Sequence, residues 1–494
     1  MKELTYYVDK TQEVGYVEKI FHSLAYISGL PKAKPYEIVV FENGGLGQII
    51  ALNPEYVEVL LLSNAKIKVG TKAARTDTFL EIGVGDGLLG RVVDSLGKPL
   101  GTKGGFIRDL IPRSLITIPL GIRYRKNIDQ PFETGVALVD LTIPLGKGQR
   151  ELVIGDRKSG KTLFLQQVIV SAARQGMVCI YASIAKRWFD TQKTINYFSK
   201  NGVGKNVIVV AAGPADSAGK IFLTPYTAMT YAEFFRDKGM DVLLILDDMT
   251  AHAKYYREIM LSAKRFPGRS SYPGDIFFVH SRVLERGGNF TKGSITVLPV
   301  AETTFRDISG YIQTNLMSMT DGHIFFDGDL YNQGRRPAVN QLLSVTRVGL
   351  QAQTPLVRDI NRQLSRFIVY YEKMRQFMHF GSELSIETQR TLALGERIVA
   401  FFDQSSEVVI PLNINIVLVA GLWGGFWKET DPTIMKKEMQ AIIASYESNT
   451  QFKGLINNLV ADAKELEGIV LKIRENEAVI LGKSRVGLEQ GGIQ

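Results

Sequence analysis

Residues 155–162 read GDRKSGKT, and this spacing of two glycines, a lysine and a hydroxyl residue is typical of a loop that binds nucleotide phosphates. The glycines let the main chain wrap closely around the phosphates, where successive N–H groups favour negative charge. The lysine reaches the outer phosphates, and the hydroxyl group binds Mg²⁺. The residues predicted to contact the nucleotide are therefore Gly155, Asp156, Arg157, Lys158, Ser159, Gly160, Lys161 and Thr162.

A second motif supplies the carboxylate that a magnesium nucleotide needs. The run DVLLILDDMT is typical of a buried strand, and it ends in Asp247 and Asp248. A carboxylate at the end of such a strand can hold Mg²⁺ or its water shell. We therefore expect ATP or ADP with Mg²⁺ as the cofactors, and Thr162 and Asp247 as the metal-binding residues, partly through water.

The segments around the loop predict an α/β domain. The loop follows the strand-like ELVIGD and precedes TLFLQQVIVSAARQG, which has the pattern of a helix. Apolar runs such as VCIYASI, NVIVVAAG and DVLLILDD alternate with amphipathic stretches across residues 79–355. Strands that are apolar on both faces are typical of a mainly parallel sheet buried between helices.

Different patterns flank this domain, so the predicted fold class is multidomain α/β. Residues 1–78 run in short β-branched segments broken by turns, and Asn43-Gly44-Gly45 favours a hairpin, which together predict a small β-barrel. After Pro355 apolar residues recur three or four positions apart, which predicts a helical domain over residues 356–494. The residues on that helix face are Leu356, Ile360, Leu364, Phe367 and Tyr371.

Composition limits the classes of function. The 494 residues are 45% hydrophobic and 22% charged, which is ordinary for a folded protein. The single cysteine, Cys179, lies in an apolar run, so we expect a buried thiol and neither a disulfide nor a cysteine zinc site. The apolar stretch from Ile414 to Trp427 is shorter than the ~20 residues that cross a bilayer, which favours a buried helix.

Charge and the amino terminus bear on partners and compartment. The net charge of +9 is spread along the chain without blocks, so it indicates a basic surface and no nucleic-acid partner. The first residues, MKELTYYVDK, lack the basic-then-apolar layout of a signal peptide. We therefore expect a cytoplasmic protein.

Longer runs resemble a known family over nearly the entire chain. The segments PFETGVALVDLTIPLGKGQRELVIGDRKSGKT, LLILDDMTAHAKYYREIM, PGRSSYPGD, HSRVLER and RRPAVNQLLSVTRVG resemble the alpha subunit of the rotary F-type ATP synthase. The resemblance implies a β-barrel crown, a RecA-like P-loop nucleotide-binding domain and a helical carboxyl-terminal domain. It also implies a ring of alternating alpha and beta subunits, in which alpha sites hold nucleotide and beta sites perform the chemistry.

The chain's own residues favour the alpha type over the beta type. In beta subunits a glutamate shortly after the strand that follows the phosphate-loop helix polarises the attacking water. The corresponding stretch here, CIYASIAKRWFD, has Ala185, Lys186 and Arg187 and no carboxylate before Asp190. Because a charged lysine cannot accept the proton of the water, hydrolysis at this chain's own site should be slower by orders of magnitude.

The resemblance assigns further site residues. An alpha subunit lends an arginine to the neighbouring beta site, and the motif SVTRVG makes that residue Arg347. A guanidinium on the transferring phosphoryl group is worth roughly 10³ to 10⁵ in rate. By the same likeness, Tyr331 is an aromatic near the site, Arg336 and Pro337 lie near the base or the phosphates, and Gln404 lies beside the adenine.

The family also implies partners. These are a beta-type catalytic subunit in an alternating hexamer, a central-stalk gamma-type subunit and a peripheral stalk. Contact with a membrane would come only through the complex, at the inner face of the cell membrane.

Some positions depart from the family pattern and leave other hypotheses open. Lys158 and Ser159 replace the usual glutamine and threonine, and Ser406 stands where a second base-contacting glutamine is common. The segment before the predicted barrel is shorter than the arm that alpha subunits usually offer to the peripheral stalk. Together with the basic charge, this short segment leads to a second hypothesis, an F-type-like ATPase paralogue that drives another mechanical process such as motility.

Two further hypotheses come from other classes of motor. The basic charge invites an RNA-translocating hexamer of the Rho type, although the chain shows neither its catalytic carboxylate nor an aromatic single-strand platform. A self-sufficient ATPase of the flagellar or secretion-export type would carry the catalytic glutamate that is absent from CIYASIAKRWFD.

Overall fold

A computed structural model of the protein describes residues 3–101, 105–378 and 385–482. Parts of the predicted helical domain, at 379–384 and 483–494, lie outside the described residues. The chain divides into two compact units. The first consists of Met1–Asn127, Gly148–Ile154 and Ala172–Asp321, and the second of Ile128–Lys147, Gly155–Ser171 and Gly322–Gln494.

The first unit begins with a short helix and a closed β-barrel. Its elements are α1 Leu4–Thr11, β1 Gly15–Phe21, β2 Leu24–Ser28, β3 Glu37–Phe41, β4 Leu46–Leu52, β5 Val57–Leu61 and β6 Lys72–Phe79. The strands close in the order β1-β2-β5-β4-β3-β6, with antiparallel neighbours throughout. The predicted hairpin turn joins β3 to β4, where Gly44 adopts a φ of +75° that favours glycine.

The barrel encloses apolar side chains and one buried ionic cluster. Val39, Phe41 and Val59 are among the core residues that solvent does not reach. Arg75 donates to Glu13 at 2.9 Å and to Glu37 at 3.3 Å, and all three side chains are buried. Each buried charge therefore has a partner of opposite sign inside the barrel.

The remaining strands and helices follow in chain order. The strands are β7 Glu81–Val84, β8 Val92–Val93, β9 Ile111–Ser114, β10 Pro131–Phe132, β11 Leu145–Gly146, β12 Glu151–Asp156, β13 Val178–Ile184, β14 Val207–Ala212, β15 Asp241–Asp247, β16 Gly288–Asn289, β17 Ser294–Thr303, β18 Gly322–Phe326 and β19 Val345–Thr346. The helices are α2 Ala137–Thr142, α3 Lys161–Arg174, α4 Trp188–Lys200, α5 Ala218–Asp237, α6 Met249–Ser262, α7 Ile276–Leu284, α8 Tyr311–Met319, α9 Gly328–Asn332, α10 Pro355–Met378, α11 Ile386–Phe402, α12 Leu412–Gly424, α13 Pro432–Ser448, α14 Thr450–Ala461 and α15 Leu466–Glu475.

A mainly parallel sheet follows the barrel in the first unit. Its strands lie in the order β12-β17-β15-β13-β14-β8, and parallel pairs join β17 to β15, β15 to β13, β13 to β14 and β14 to β8. Every residue of β13 and β14 is buried, as strands covered on both faces require. Cys179 lies on β13, and burial raises the pKa of its thiol.

The register of this sheet brings two polar segments to one edge. Ser183 on β13 pairs with Asp247 on β15, and Ile184 pairs with Ala212 on β14. Neighbouring parallel strands end at the same edge of a sheet. The residues after Ile184 and the carboxylate of Asp247 therefore lie side by side.

The second unit contains the helices α10 to α15. On α10 the predicted apolar face is buried at Leu356, Ile360, Leu364 and Tyr371, and Phe367 is half-buried. Most of the apolar stretch predicted to be a buried helix lies in α12, which ends at Gly424 and whose middle is fully buried. In the described part of the chain, no helix combines the length and apolar character that a membrane span requires.

The predicted fold class is confirmed as a barrel, a domain built on a mainly parallel sheet and a carboxyl-terminal helical domain. The boundaries at residues 78 and 355 stay predictions. The sequence reasoning did not identify α1, whose Tyr7 packs against Val40 and Ala74 of the barrel wall.

Candidate nucleotide-binding site

The predicted phosphate loop joins β12 to α3, as its sequence context indicated. Gly155 has a φ of +156°, and a Cβ there would lie 2.2 Å from the main-chain oxygen of Phe326. Gly160 has a φ of +96°, just before α3 begins at Lys161. Both positions therefore require glycine, one because a neighbour leaves no room and both because of their backbone conformation.

Lys161 and Ser159 are held by the main chain of the loop itself. The ammonium group of Lys161 donates to the oxygens of Gly155 at 2.7 Å and Asp156 at 2.6 Å. The hydroxyl of Ser159 is buried and donates to Asp156 O at 2.7 Å. Arg157, Lys158 and Thr162 are exposed.

The loop thus presents positive charge where α3 begins. The first turn of a helix leaves main-chain N–H groups free for an anion, and the helix dipole favours negative charge there. Lys161 adds a cation at that end of the helix, and the exposed Arg157 and Lys158 add two more. This arrangement fits the phosphates of a nucleotide.

Tyr331 and Arg336 lie beside the loop. A Cβ at Gly160 would lie 3.6 Å from the Tyr331 ring. The Arg336 guanidinium stacks over the same ring at 3.6 Å from its centroid, and its Nη1 donates to Tyr331 O at 2.8 Å. The bond from Arg336 to Pro337 is cis. The structure therefore brings these predicted residues together with the phosphate loop.

Gln404 is buried, and its side-chain amide is hydrogen-bonded to main-chain groups. Its Oε1 accepts from Ala137 N at 2.9 Å, and its Nε2 donates to Gly135 O at 2.8 Å and to Val408 O at 2.7 Å. The main-chain N–H of Gln404 donates to Arg336 O at 2.6 Å. Gln404 therefore ties together three segments around Arg336, and its predicted contact with adenine stays a prediction.

Two residues of this region escaped the sequence reasoning. Gln167 on α3 donates to Ser405 O at 3.1 Å and to Val408 O at 2.9 Å, which links the helix after the phosphate loop to the segment that contains Ser406. Asp140 is fully buried and accepts from Thr134 N and Thr134 Oγ1 at 2.8 and 2.7 Å. Burial raises the pKa of Asp140 to about 7. In the sequence, Gln167 and Asp140 are each visible only as a polar residue within an apolar helix pattern.

Arg347 directly follows the short strand β19. That strand pairs with β18, with Thr346 opposite Gly322 and Val345 opposite His323. The Thr346 hydroxyl donates to Pro144 O at 3.1 Å, which fixes the main chain beside Arg347. The Arg347 side chain is exposed. The structure therefore places Arg347 at the surface, beside a hydrogen-bonded segment of main chain, and its predicted donation to another subunit stays a prediction.

Asp247 belongs to the first unit, where two donors meet its carboxylate. The Tyr181 hydroxyl donates to Asp247 Oδ2 at 2.7 Å, and the Lys186 ammonium donates to the same oxygen. Burial alone would lower the pKa of Lys186, but the charges of Asp247 and Tyr181, together with the hydrogen bond to Asp247, outweigh burial, and the pKa is raised. Lys186 therefore stays protonated at neutral pH and cannot act as a general base.

The carboxyl group of the neighbouring Asp248 is also hydrogen-bonded. Asp248 accepts from Thr250 N at 2.7 Å and so caps α6. Burial, followed by the charge of Glu302, raises the pKa of Asp248 to about 7. In the described residues, His, Cys, Asp and Glu form no group of three or more that could hold a metal ion. A Mg²⁺ site made of protein carboxylates alone is therefore not built into the described part of the chain.

Comparisons with known proteins agree with this geometry. Residues 135–346 match the family model described as ATP synthase alpha/beta family, nucleotide-binding domain. Residues 353–472 match the model described as ATP synthase alpha/beta chain, C terminal domain. Among similar proteins, ATP synthase subunit alpha of Neorickettsia sennetsu is 34% identical over 478 residues, which cover 93% of this chain and 94% of that protein. ATP synthase subunit alpha of a Sulfurovum species is 38% identical over 419 residues, or 82% of each chain.

Proposed function

The chain belongs to the ATP synthase alpha/beta family as an alpha-type subunit, and from this premise we propose that it binds ATP or ADP without hydrolysing it and lends Arg347 to a neighbouring catalytic site. Its closest functional contacts in this proposal are a beta-type catalytic subunit and a gamma-type central stalk. A peripheral stalk would link the complex to the inner face of the cell membrane. The two relatives are named as ATP synthase subunits, which favours this hypothesis over the other motors considered from the sequence.

Nucleotide binding is supported by the chemistry of the loop and its neighbours. The main-chain N–H groups at the start of α3, with Lys161, would hold the phosphates, and Gly155 and Gly160 give the main chain the shape for this. Arg336 and Tyr331 would line the site beside the loop. Pro337, next to Arg336 in the chain, would lie near the base or the phosphates, as the resemblance implies. Gln404 would support this wall through its bonds to main-chain groups.

Magnesium has one fitting ligand in the same unit. The hydroxyl of Thr162 is exposed at the start of α3, as a ligand that joins a phosphate-bound Mg²⁺ must be. When bound, Mg²⁺ would neutralise part of the phosphate charge and orient the phosphate oxygens. Asp247 does not offer such an ion an uncompensated negative charge, because the Lys186 ammonium group already neutralises its carboxylate.

One observation carries the claim that the site does not hydrolyse its nucleotide. In the stretch that corresponds to the catalytic glutamate of beta subunits, Lys186 is a protonated ammonium group bonded to Asp247. It can neither accept a proton from water nor move away from Asp247 without leaving that buried carboxylate without an opposite charge. Hydrolysis without a positioned base loses roughly 10² to 10⁴ in rate.

Equilibrium binding and hydrolysis by the same preparation test this proposal. The purified full-length chain should bind ADP and ATP in equilibrium dialysis, and chromatography of the bound fraction should recover ATP unchanged after many minutes. Lys161→Met should abolish binding, because it removes the buried cation of the loop. Lys200→Met is the matched control, since Lys200 is an exposed lysine at the end of α4. Rapid hydrolysis by the chain alone would refute the noncatalytic assignment, and absence of binding would refute the nucleotide site.

A further inference from the structure

The phosphate loop carries a lysine, Lys158, that the loop itself does not hold. We propose that Lys158 contacts the outermost phosphate of a bound nucleotide, so that the site selects the triphosphate over the diphosphate. This inference rests on the proposed nucleotide site and specifies which nucleotide that site prefers. Lys158 stands where alpha subunits usually have glutamine, so its charge sets this chain apart from the family pattern.

The interior of the loop is closed by its own polar groups. The Lys161 ammonium donates to Gly155 O at 2.7 Å and to Asp156 O at 2.6 Å. The Ser159 hydroxyl donates to the same Asp156 oxygen at 2.7 Å, and the side chains of Lys161 and Ser159 are both buried. These bonds fix the main chain on both sides of Lys158.

Arg336, a cation beside the loop, is also held by main-chain oxygens. Its Nη1 donates to Tyr331 O at 2.8 Å and to Arg335 O at 2.7 Å, and its guanidinium stacks 3.6 Å from the centroid of the Tyr331 ring. The ring in turn lies beside Gly160, where a Cβ would be 3.6 Å from it. Arg336 is therefore part of a wall next to the loop.

Lys158 differs from Lys161 and Arg336 because its charge is uncommitted. Its side chain is exposed, and no described residue forms a hydrogen bond or an ion pair with its ammonium group. Its φ of +61° is a conformation that glycine adopts with less strain. The loop thus places a long cationic side chain at a position that favours glycine, and the flexible stem of a lysine lets its three donors reach a ligand.

The construction of such a loop decides which phosphate Lys158 meets. Main-chain N–H groups of a loop of this type enclose the inner phosphates of the nucleotide. The terminal phosphate of a diphosphate is one of these enclosed groups, whereas the terminal phosphate of a triphosphate extends beyond them. An exposed ammonium group can therefore make a charge-assisted hydrogen bond to the added phosphate. A diphosphate would attract Lys158 only across solvent, which screens the interaction.

Four variants separate the charge of Lys158 from other effects. Lys158→Gln removes the charge and restores the residue usual in alpha subunits. Lys158→Gly also removes the charge and suits the φ of +61°, so the loop keeps its shape. Lys158→Arg keeps the charge. Lys437→Gln is the matched control, because Lys437 is an exposed lysine on α13 in the same compact unit.

The test is equilibrium dialysis of the full-length chain in excess Mg²⁺ with two ligands, ADP and the β,γ-imido analogue of ATP. The analogue keeps its outer phosphate even if the chain can hydrolyse ATP. We expect Lys158→Gln and Lys158→Gly to weaken binding of the analogue by about tenfold or more, because a charge-assisted hydrogen bond is lost. Binding of ADP should weaken by no more than about threefold. Lys158→Arg and Lys437→Gln should leave both dissociation constants within about threefold of those of the unmodified chain.

Each contrary result bears on a different part of the inference. Equal weakening of ADP and the analogue in Lys158→Gln and Lys158→Gly would show that Lys158 does not select the outer phosphate. Unchanged binding of the analogue in both variants would overturn any contact between Lys158 and the phosphates. If neither ligand binds to the unmodified chain, the proposed nucleotide site itself fails, and the inference fails with it.

Discussion

Acid is predicted to weaken the first unit around α6, because two histidines are buried there in their neutral forms. Both are fully buried, and His252 Nδ1 lies 3.2 Å from His280 Nε2. The other ring nitrogen of His252, Nε2, lies 3.0 Å from Phe222 O and donates to it. A second proton on His252 would place an N–H group against the N–H of His280. Protonation therefore breaks this hydrogen-bonded chain.

The size and sign of the effect follow from the pKa of His252. Burial lowers it from 6.5 to about 4. The unfolded chain therefore binds more protons below pH 6.5, so stability falls as the pH drops from 6.5 to about 4. With these two pKa values, the free energy of unfolding falls by about 2 kcal/mol between pH 7.5 and pH 5. Burial also lowers the pKa of His280, which acts in the same direction.

Hydrogen exchange of the α6 amides, read by mass spectrometry and corrected for intrinsic rates, measures this loss as an opening free energy. His252→Phe keeps the stacking on Phe222 and removes the titrating group, so the loss between the two pH values should shrink by about 2 kcal/mol. His22→Gln removes an exposed histidine and should change nothing. An unchanged pH dependence in His252→Phe would refute the reasoning.

Two further substitutions test the barrel and the phosphate loop. Arg75→Met leaves the two buried glutamates of the barrel without their partner and should lower the free energy of unfolding by about 3–5 kcal/mol, seen as a lower Tm; a Tm within error of the unmodified chain would contradict this. Gly155→Ala would place a methyl carbon 2.2 Å from Phe326 O and should abolish ADP binding. Gly176→Ala, whose Cβ meets nothing within 4 Å although φ is +83°, should retain it; equal loss in both would show that backbone strain, not the contact, is responsible.

Local patterns were enough to predict the layers of the fold and the phosphate loop. Short β-branched segments broken by turns predicted the barrel, and strands apolar on both faces predicted the parallel sheet. The loop motif predicted where β12 would end and α3 begin, because glycines and a following apolar helix pattern depend only on nearby residues. These features are encoded by spacing within a short stretch of chain.

The partners of single side chains could not be predicted in this way. The sequence indicated that Lys186 lies in a stretch that lacks the catalytic carboxylate. It did not indicate that the Lys186 ammonium group bonds to a residue 61 positions later in the chain. That contact depends on β13 lying next to β15 in a particular register. Gln404 is a similar case, because its amide bonds to residues more than 260 positions earlier. Such contacts follow from topology, which local periodicity does not contain.

The central claim is that this chain contributes Arg347 to chemistry performed at another subunit. The most direct measurement is the ATPase rate of the complex assembled from this chain and its beta-type partner, with the unmodified chain, Arg347→Ala and the exposed control Arg366→Ala. We predict full activity with the control, and a loss of roughly 10³-fold or more in kcat with Arg347→Ala at unchanged nucleotide content. Equal rates for Arg347→Ala and the control would contradict the account.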